Sequence, residues 1–340
     1  MRYCIWNNKG GVGKTFLTYC LAVEYAKKYP NKVVAVVDMC PQANVSEMLL
    51  GGNGLGEKNL ATFYENRRTI ASYITDRLRG GWSNRLGREI DYFVRVQTFN
   101  PNLPENLYLL PGDFDLDGCA EVIDYVAADP LIRGRWASSR KFLCDIIPLF
   151  ENQHKKESTV FIDTNPSFAN YTQAGIIASD RLIVPCTADY ASIRGIQNIF
   201  YRVFGVKEVN GLVGESDLAT FHSRIADAGV YLPKIHMFLV NKSRSCSRDA
   251  STVYASHMKE VVKAARTMSK KHSDCFVIRR GRYVLNVKEG NTLAAVLNYN
   301  GLAPSGLQDR QYDVYDGKSQ VNESQITSFL EDINNAVALL

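Results

Sequence analysis

The segment 7–16, NNKGGVGKTF, constrains the fold of this chain more than any other, because it places three glycines and two lysines directly after a short apolar run. That run, RYCIWN at 2–7, is rich in residues that favour strands, and residues 15–29 carry apolar side chains at helical spacing. Residues 32–38, KVVAVVD, form a β-branched run that is typical of a buried parallel strand. The order predicts a βαβ unit in which the glycines lie between the first strand and the helix.

A glycine-rich turn in this position is suited to binding phosphate, since consecutive backbone N–H groups can face one anion where no Cβ intervenes. Lys14 would place a positive charge on the β- and γ-phosphates, and the hydroxyl of Thr15 would ligate Mg²⁺. The alternative is a turn that binds nothing, and the flanking strand, the helix and the Lys-Thr pair argue against it. The loop residues predicted to contact the nucleotide are Gly10, Gly11, Val12, Gly13, Lys14, Thr15 and Phe16.

The alternation of strands and helices continues along the chain and predicts an α/β fold, with a mostly parallel twisted sheet flanked by helices. Residues 60–81 are predicted to be helical, within an insertion at 51–105 between core strands. We predict one domain over 1–340, whose C-terminal part, 246–340, binds DNA or docks on the rest. Further strands are predicted within 106–112, 158–167, 181–189 and 234–243.

Composition excludes several classes of protein. No apolar run approaches the roughly eighteen residues of a membrane span, and no stretch of signal-peptide length precedes the glycines. The eight cysteines include no C-x-x-C pair, so a zinc or iron–sulfur site built from local pairs is not predicted. We therefore expect a cytoplasmic protein.

The loop also carries a lysine, Lys9, that the common pattern G-x-x-x-x-G-K-[ST] lacks, while Asn8 replaces the first glycine of that pattern. Residues 9–15, KGGVGKT, instead resemble the deviant Walker A motif, KGGxGK[ST], of the ParA/MinD family of P-loop ATPases. The resemblance covers most of 1–245 and is strongest to the ParA partition branch. Its other segments are VVDMCPQANVSEML at 36–49, VFIDTNPS at 160–167, LIVPCTADYASIRGI at 182–196 and FLVNKS at 238–243.

The resemblance implies a P-loop NTPase fold of the deviant Walker type that binds ATP with Mg²⁺ between two protomers. In such a homodimer Lys9 would reach the phosphates of the partner, in a role that resembles that of an arginine finger. It implies catalytic roles for Lys9, Lys14 and Asp38, and an adenine contact for Asn241. The residues implied as Mg²⁺ ligands are Thr15, Asp38 and Asp163.

The chain departs from the family at Cys40, where the second aspartate of D-x-D-P-Q-x-N holds the attacking water. A thiol cannot orient water or accept its proton as a carboxylate does, so we expect ATP binding with weak hydrolysis. Two interpretations stay open: a slow ATPase in which Asp38 or another group anchors the water, or a switch that hydrolyses poorly. A third hypothesis gives Cys40 a reactive thiol with a lowered pKa in an electropositive site.

The stretch 259–288 contains nine basic residues and two acidic ones, although the net charge of the whole chain is only +5. Such a patch would bind DNA without reading its sequence, as the resemblance also implies, and a solvated basic face is the alternative. The C-terminal segment QVNESQITSFLEDINNAVALL has no basic residue, so we expect a docked terminal helix and no membrane anchor. The predicted DNA contacts are Lys259, Lys263, Arg266, Lys270, Lys271, Arg279, Arg280 and Arg282.

These features together predict a ParA-like ATPase that positions or segregates DNA or another cargo, on the nucleoid, with a ParB-like or adaptor partner protein. One rival is an ATP-gated regulatory or interaction protein, for example in defence or mobile-element biology. A second is a metabolic or metal-inserting relative, which the lack of a cysteine pair disfavours. A third is a bacterial tyrosine kinase, disfavoured because the C-terminal tyrosines are sparse: Tyr299, Tyr312 and Tyr315.

Overall fold

A computed structural model describes residues 1–129, 131–132, 134–209, 212–213, 221–243, 248–277, 284–288 and 290–340. The described strands are β1 (Arg2–Ile5), β2 (Val33–Met39), β3 (Val94–Arg95), β4 (Leu107–Leu110), β5 (Ser158–Thr164), β6 (Arg181–Cys186), β7 (Glu208–Val209), β8 (Leu212–Val213), β9 (Lys234–Ser243), β10 (Val284–Lys288), β11 (Arg310–Val314) and β12 (Gly317–Val321).

α-Helices of the described part pack on both faces of the main sheet. They are α1 (Lys14–Lys28), α2 (Asn44–Leu49), α3 (Leu55–Glu65), α4 (Ile70–Arg79), α5 (Leu116–Ala128), α6 (Arg135–Arg140), α7 (Phe142–His154), α8 (Asn170–Ile177), α9 (Tyr190–Arg202), α10 (Phe221–Asp227), α11 (Arg248–Lys271), α12 (Asn291–Asn300) and α13 (Glu323–Val337). Short 3₁₀ turns occupy Glu89–Tyr92, Val96–Thr98, Ser273–Cys275 and Pro304–Gly306.

The main sheet has the strand order β10-β9-β6-β1-β5-β2-β4-β3. Every neighbouring pair is parallel except β3 with β4, which are antiparallel at one edge. The predicted mostly parallel sheet flanked by helices is therefore confirmed. Because β1 lies between β5 and β6, the segments that follow these strands meet at one edge of the sheet.

Alternate residues of the central strands face opposite sides of the sheet, so two layers of helices are needed to bury them. Val36 of β2 packs in one core with Leu17 of α1 and Ile333 of α13. Its neighbour Val37 packs on the other side with Phe142 of α7. A third cluster, around β6 and β9, contains residues of α9 and α11 and lies on this second side.

The C-terminal residues pack directly against α1 and β1. The hydroxyl of Tyr3 donates to the carbonyl of Leu340 at 2.6 Å, and that of Tyr19 donates to the carbonyl of Leu302 at 2.7 Å. Helix α13 begins with a capping box formed by Asn322 and Gln325, and it packs against α1 and β10. The predicted docked terminal helix is confirmed.

The prediction that 60–81 is helical is confirmed for most of the stretch, which contains the end of α3 and the whole of α4, with a break at residues 66–69. Arg67 has a φ of 52°, a left-handed conformation that ends a helix. The side chain of Thr69 then accepts a hydrogen bond from the backbone N–H of Ser72 and caps α4. In the described part of the chain, no helix combines the length and apolar character needed to cross a membrane.

Candidate functional site

The glycine loop joins the end of β1 to the first residue of α1, at the edge where the parallel strands end. Gly11 and Gly13 have φ angles of 69° and 85°, which side chains other than glycine rarely adopt. The amide of Asn241, on β9, donates to the carbonyl of Val12 at 3.2 Å. A Cβ on Gly13 would collide with that amide, so β9 and the loop are in direct contact.

Lys14 is 6% exposed and lies inside the loop, where its ammonium group donates to the carbonyl of Lys9 at 3.0 Å. Burial lowers the pKa of Lys14 to about 8, although the charge of Asp163 acts in the opposite direction. An anionic ligand at the loop would restore the charged form. The geometry therefore fits a lysine that meets a phosphate.

Asp38 and Asp163 are neighbours in the register of β2 and β5, and both are fully buried. Asp163 accepts hydrogen bonds from Thr15 at 2.8 Å and from Thr18 at 3.0 Å. Asp38 accepts from the backbone N–H groups of Cys40 and Ser46, at 3.0 and 3.1 Å, and from the hydroxyl of Ser46 at 2.7 Å. Burial raises the pKa of both carboxyl groups, and the charge of Asp163 raises that of Asp38 further.

This pair of carboxyl groups fits a divalent cation. Two adjacent buried carboxylates repel each other, and a bound cation with oxygen ligands would relieve that repulsion. The hydroxyl of Thr15 is already directed at Asp163, so the oxygens that the sequence analysis assigned to Mg²⁺ lie together.

Cys40 lies one residue beyond the end of β2 and is 7% exposed. Burial raises the pKa of its thiol to about 12, and the negative charges of Asp38 and Asp163 add to the effect. The hypothesis of an activated thiol with a lowered pKa is therefore wrong. Asp38 lies beside Cys40 and accepts a hydrogen bond from its backbone N–H at 3.0 Å, and the opposing effect of Lys14 on the pKa of the thiol is smaller.

Lys9 is bonded within its own chain, to the carboxylate of Asp189 and to the hydroxyl of Thr187 at 2.7 Å. Asp189 also accepts from the backbone N–H of Ser192 at 2.9 Å and so caps α9. The backbone N–H of Lys9 donates to Asn7 at 3.1 Å, which fixes the start of the loop. None of Asn7, Thr187 and Asp189 was assigned a role from the sequence, although residues 182–196 were recognised as a family segment.

A cavity of about 480 Å³ opens beside the loop, between α2 and α12. Residues from the loop and from β2's end line one wall, among them Thr15, Phe16 and Cys40. The opposite wall contains Asn298, Tyr299 and Tyr315, which sequence analysis did not connect with the site. No local signal marks these residues, since only the docking of the C-terminal part brings them to the loop.

A family model described as an AAA domain matches residues 2–213 of this chain. The chain belongs to this AAA domain family and is a P-loop ATPase of the ParA/MinD type. It is 24% identical over 208 residues to a ParA family protein of Mycoplasma genitalium, a match that covers 60% of this chain and 65% of that protein. It is 27% identical over 209 residues to the chromosome partitioning protein ParA of Myxococcus xanthus, a match that covers 60% of this chain and 58% of that protein.

The chain thus spans somewhat less than two thirds of the length of the curated relatives it matches. Among solved structures it resembles an ATP complex of Cyanothece McdA, with a TM-score of 0.59 and 16% identity, over 99% of this chain and 96% of that one. The structure of pnob8 ParA gives a TM-score of 0.58 at 14% identity, over 99% and 95%. These structures share the fold of this ParA/MinD-type chain.

The basic residues of this ParA/MinD-type protein lie on α11, on the side of the sheet opposite α1. Lys259, Lys263, Arg266 and Lys270 border a single groove of about 520 Å³ on this helix, and all four are exposed. Lys271, the last residue of α11, is exposed as well. The other three predicted DNA contacts, Arg279, Arg280 and Arg282, lie outside the described residues.

Proposed function

We propose that this chain is an ATPase of the ParA type, which pairs on binding ATP·Mg²⁺ and then holds DNA. The observation that carries the proposal is the loop itself, where the ammonium group of Lys14 lies inside the turn and Thr15 donates to Asp163, whose register neighbour is the second buried carboxyl group, Asp38. The family to which the chain belongs supports use of a nucleotide with Mg²⁺.

In the proposed complex the phosphates lie against Gly10–Thr15, with Lys14 on the β- and γ-phosphates. Mg²⁺ is held by Thr15, with Asp163 and Asp38 as its protein carboxylates, and it supplies charge neutralisation at the phosphates. Asn241 supports the loop from β9 through its hydrogen bond to Val12, and the proposed adenine contact for Asn241 rests on the family resemblance. Lys9 of the partner subunit is proposed to complete the phosphate cage, so that pairing depends on the nucleotide.

DNA binding is proposed for α11, whose four aligned basic residues form a solvent-exposed strip along one groove. Lys263 has one acidic neighbour, Glu260, at 3.7 Å, and an exposed pair of this kind hardly reduces its attraction to phosphate. Binding through such a strip depends on charge alone and weakens steeply as salt rises. It would retain the protein on the nucleoid without any preferred sequence.

The task that fits these parts is partition or positioning of DNA or another cargo, with a ParB-like or adaptor protein that triggers release. Hydrolysis is proposed to be slow, because Cys40 is a buried neutral thiol at the position where relatives use a carboxylate. The second candidate function follows from the same observation. A chain that binds ATP and scarcely hydrolyses it would act as a regulatory switch, controlled by nucleotide exchange.

The proposal is tested by sedimentation velocity with no nucleotide, with ADP and with a non-hydrolysable ATP analogue, beside anisotropy of a labelled duplex. We expect dimers and DNA binding only with the analogue, and loss of both in Lys9→Ala. The double variant K263E/R266E should pair normally and bind DNA at least about tenfold more weakly. A matched variant, K58E/K156E, makes the same charge change on exposed lysines elsewhere and should bind as wild type.

A monomer at saturating analogue contradicts the proposed pairing. DNA binding that ignores both nucleotide and K263E/R266E contradicts the proposed role of α11. Partition and the pure switch are then separated by turnover, since only the first predicts ATP hydrolysis that rises in the presence of DNA. Turnover indifferent to DNA and to protein partners would instead favour a metabolic relative.

A further inference from the structure

A second groove, of about 380 Å³, lies among α6, α8, α9 and α10 and the loop that follows β5. We call it the arginine groove, because three arginines from three different helices converge on it. Neither the proposed nucleotide site nor the basic strip on α11 includes any of its residues. Its lining consists of Trp136, Arg140, Phe168, Gln173, Tyr201, Arg202, Phe221 and Arg224.

The guanidinium groups of the arginine groove are held in place by aromatic rings. Those of Arg140 and Arg224 lie 4.9 and 5.6 Å from the ring centre of Trp136, and that of Arg202 lies 5.8 Å from the ring of Phe168. The rings in turn pack edge to face on Phe221, at 6.0 and 5.2 Å. Such stacking orients a guanidinium group while leaving its N–H edge available for an anion.

In the described part of the chain, one carboxylate pairs with the three arginines of the groove. Arg140 is buried and pairs with Asp124 at 3.3 Å, but this carboxylate is 67% exposed. Burial, with the positive charge of Arg224 as a further cause, lowers the pKa of Arg140. Among the residues that the structure describes, neither Arg202 nor Arg224 has a carboxylate within ion-pair distance. Like charges held together in this way favour an anionic ligand.

The size and the floor of the groove favour a particular kind of anion. Its volume of about 380 Å³ is smaller than the 520 Å³ of the groove on α11 and suits a few side chains. Its floor is aromatic, with Phe221 buried and Trp136 partly exposed, so an apolar side chain can lie beside the charged groups. The exposed side chain of Tyr201 adds a neutral hydroxyl group at the rim, whereas the amide of Gln173 is already bonded to Arg140 and to the carbonyl of Phe168.

We propose that the arginine groove binds an acidic, partly apolar peptide segment of a partner protein, with carboxylates on Arg202 and Arg224 and an apolar side chain on the aromatic floor. This site is independent of the proposed pairing and of DNA binding. Bidentate contacts from two guanidinium groups would supply specificity for carboxylates, and the apolar contact would distinguish a peptide from small anions.

The test uses the full chain labelled with ¹⁵N at tryptophan, whose indole signals report on Trp6, Trp82 and Trp136 separately. The signal of Trp136 is identified by its loss in Trp136→Phe. The probes are twelve-residue peptides in which Glu alternates with Leu or with Phe, a peptide in which Lys replaces Glu, and a short DNA duplex. We expect the two acidic peptides alone to shift the Trp136 signal, and added salt to weaken the shift.

The double variant R202A/R224A should weaken binding of the acidic peptides by about tenfold or more, since it removes both proposed carboxylate contacts. The matched variant R79A/R135A removes two exposed arginines outside the groove and should bind as wild type. Unchanged binding of the ATP analogue verifies that both variants are folded. Three results overturn the proposal: no shift at about 1 mM of either acidic peptide, equal binding by R202A/R224A, or a Trp136 shift caused by the duplex instead.

Discussion

The ammonium group of Lys9 is paired with the carboxylate of Asp189, 180 residues further along the same chain. The same carboxylate caps α9, which packs against the basic helix α11. Lys9, which is proposed to reach the phosphates of a partner subunit, is therefore bonded within its own subunit in this structure. Pairing must first break the contact between Lys9 and Asp189 in each subunit. The free energy needed to break this contact in both subunits weakens nucleotide-dependent pairing by the same amount.

Replacing Asp189 by Ser should promote nucleotide-dependent pairing, because Ser keeps an N-cap for α9 but removes the charged partner of Lys9 and leaves it only the hydroxyl of Thr187. The side chains of Lys9 and Asp189 are 24% and 40% exposed, so the pair contributes only about 0.2–1 kcal/mol. Two such contacts per dimer correspond to a dissociation constant about 2- to 30-fold lower. Sedimentation with the ATP analogue measures it, with Asp227→Ser as an exposed control. Weaker pairing in Asp189→Ser would contradict this account.

Replacing Cys40 by Asp should raise ATP turnover by about tenfold or more, because it supplies a carboxylate where the thiol stays protonated. The third carboxylate beside Asp38 and Asp163 should also lower thermal stability when nucleotide and Mg²⁺ are absent. Phosphate release and melting temperature are the two measurements. Cys40→Ser is the matched control, since it is polar and similar in size but is no base, and its turnover should stay at the wild-type level. Equal rates in all three proteins would show that another group orients the water.

Binding of ATP should take up a proton at alkaline pH. The pKa of Lys14 is lowered to about 8 by burial, so above that pH the side chain is increasingly neutral in the free protein. Phosphates favour the charged form, and affinity should therefore fall as pH rises from 8 towards 9.5, while it stays flat between 7 and 7.5. Calorimetry in two buffers of different ionisation enthalpy counts the proton directly. Proton release, or an affinity independent of pH over this range, would contradict the prediction.

Gly13→Ala should destabilise the protein more than Gly11→Ala. Both positions have positive φ, so a residue with a Cβ at either one should lower the free energy of unfolding by about 1–2 kcal/mol. At Gly13 the new methyl group would also collide with Asn241, whereas at Gly11 it meets no atom within 4 Å. We expect this overpacking to lower the free energy of unfolding, measured in urea, by about 1–3 kcal/mol more in Gly13→Ala than in Gly11→Ala. The double variant G13A/N241A, which removes the colliding amide, should be more stable than Gly13→Ala by that difference. If it is no more stable, the collision with Asn241 is not the cause of the lower stability.

Local sequence determined the glycine loop, the strand before it, the helix after it and the carboxylates at the ends of β2 and β5. These could be predicted because glycines, β-branched runs and helical spacing act over a few residues, and because parallel strands bring their carboxyl ends to one edge. The departure at Cys40 was visible from the same motif. Its neutral character was not, since the pKa of a thiol depends on how deeply it is buried and on which charges lie beside it.

The tertiary structure alone decided which distant residues complete these sites. Asp189 meets Lys9, Tyr299 and Tyr315 close the cavity beside the loop, and three arginines from separate helices reach one groove. Contacts of this kind join residues far apart in the chain, and no local spacing encodes them. They follow from the way helices bury their apolar faces on a shared sheet, which is a property of the whole packed chain.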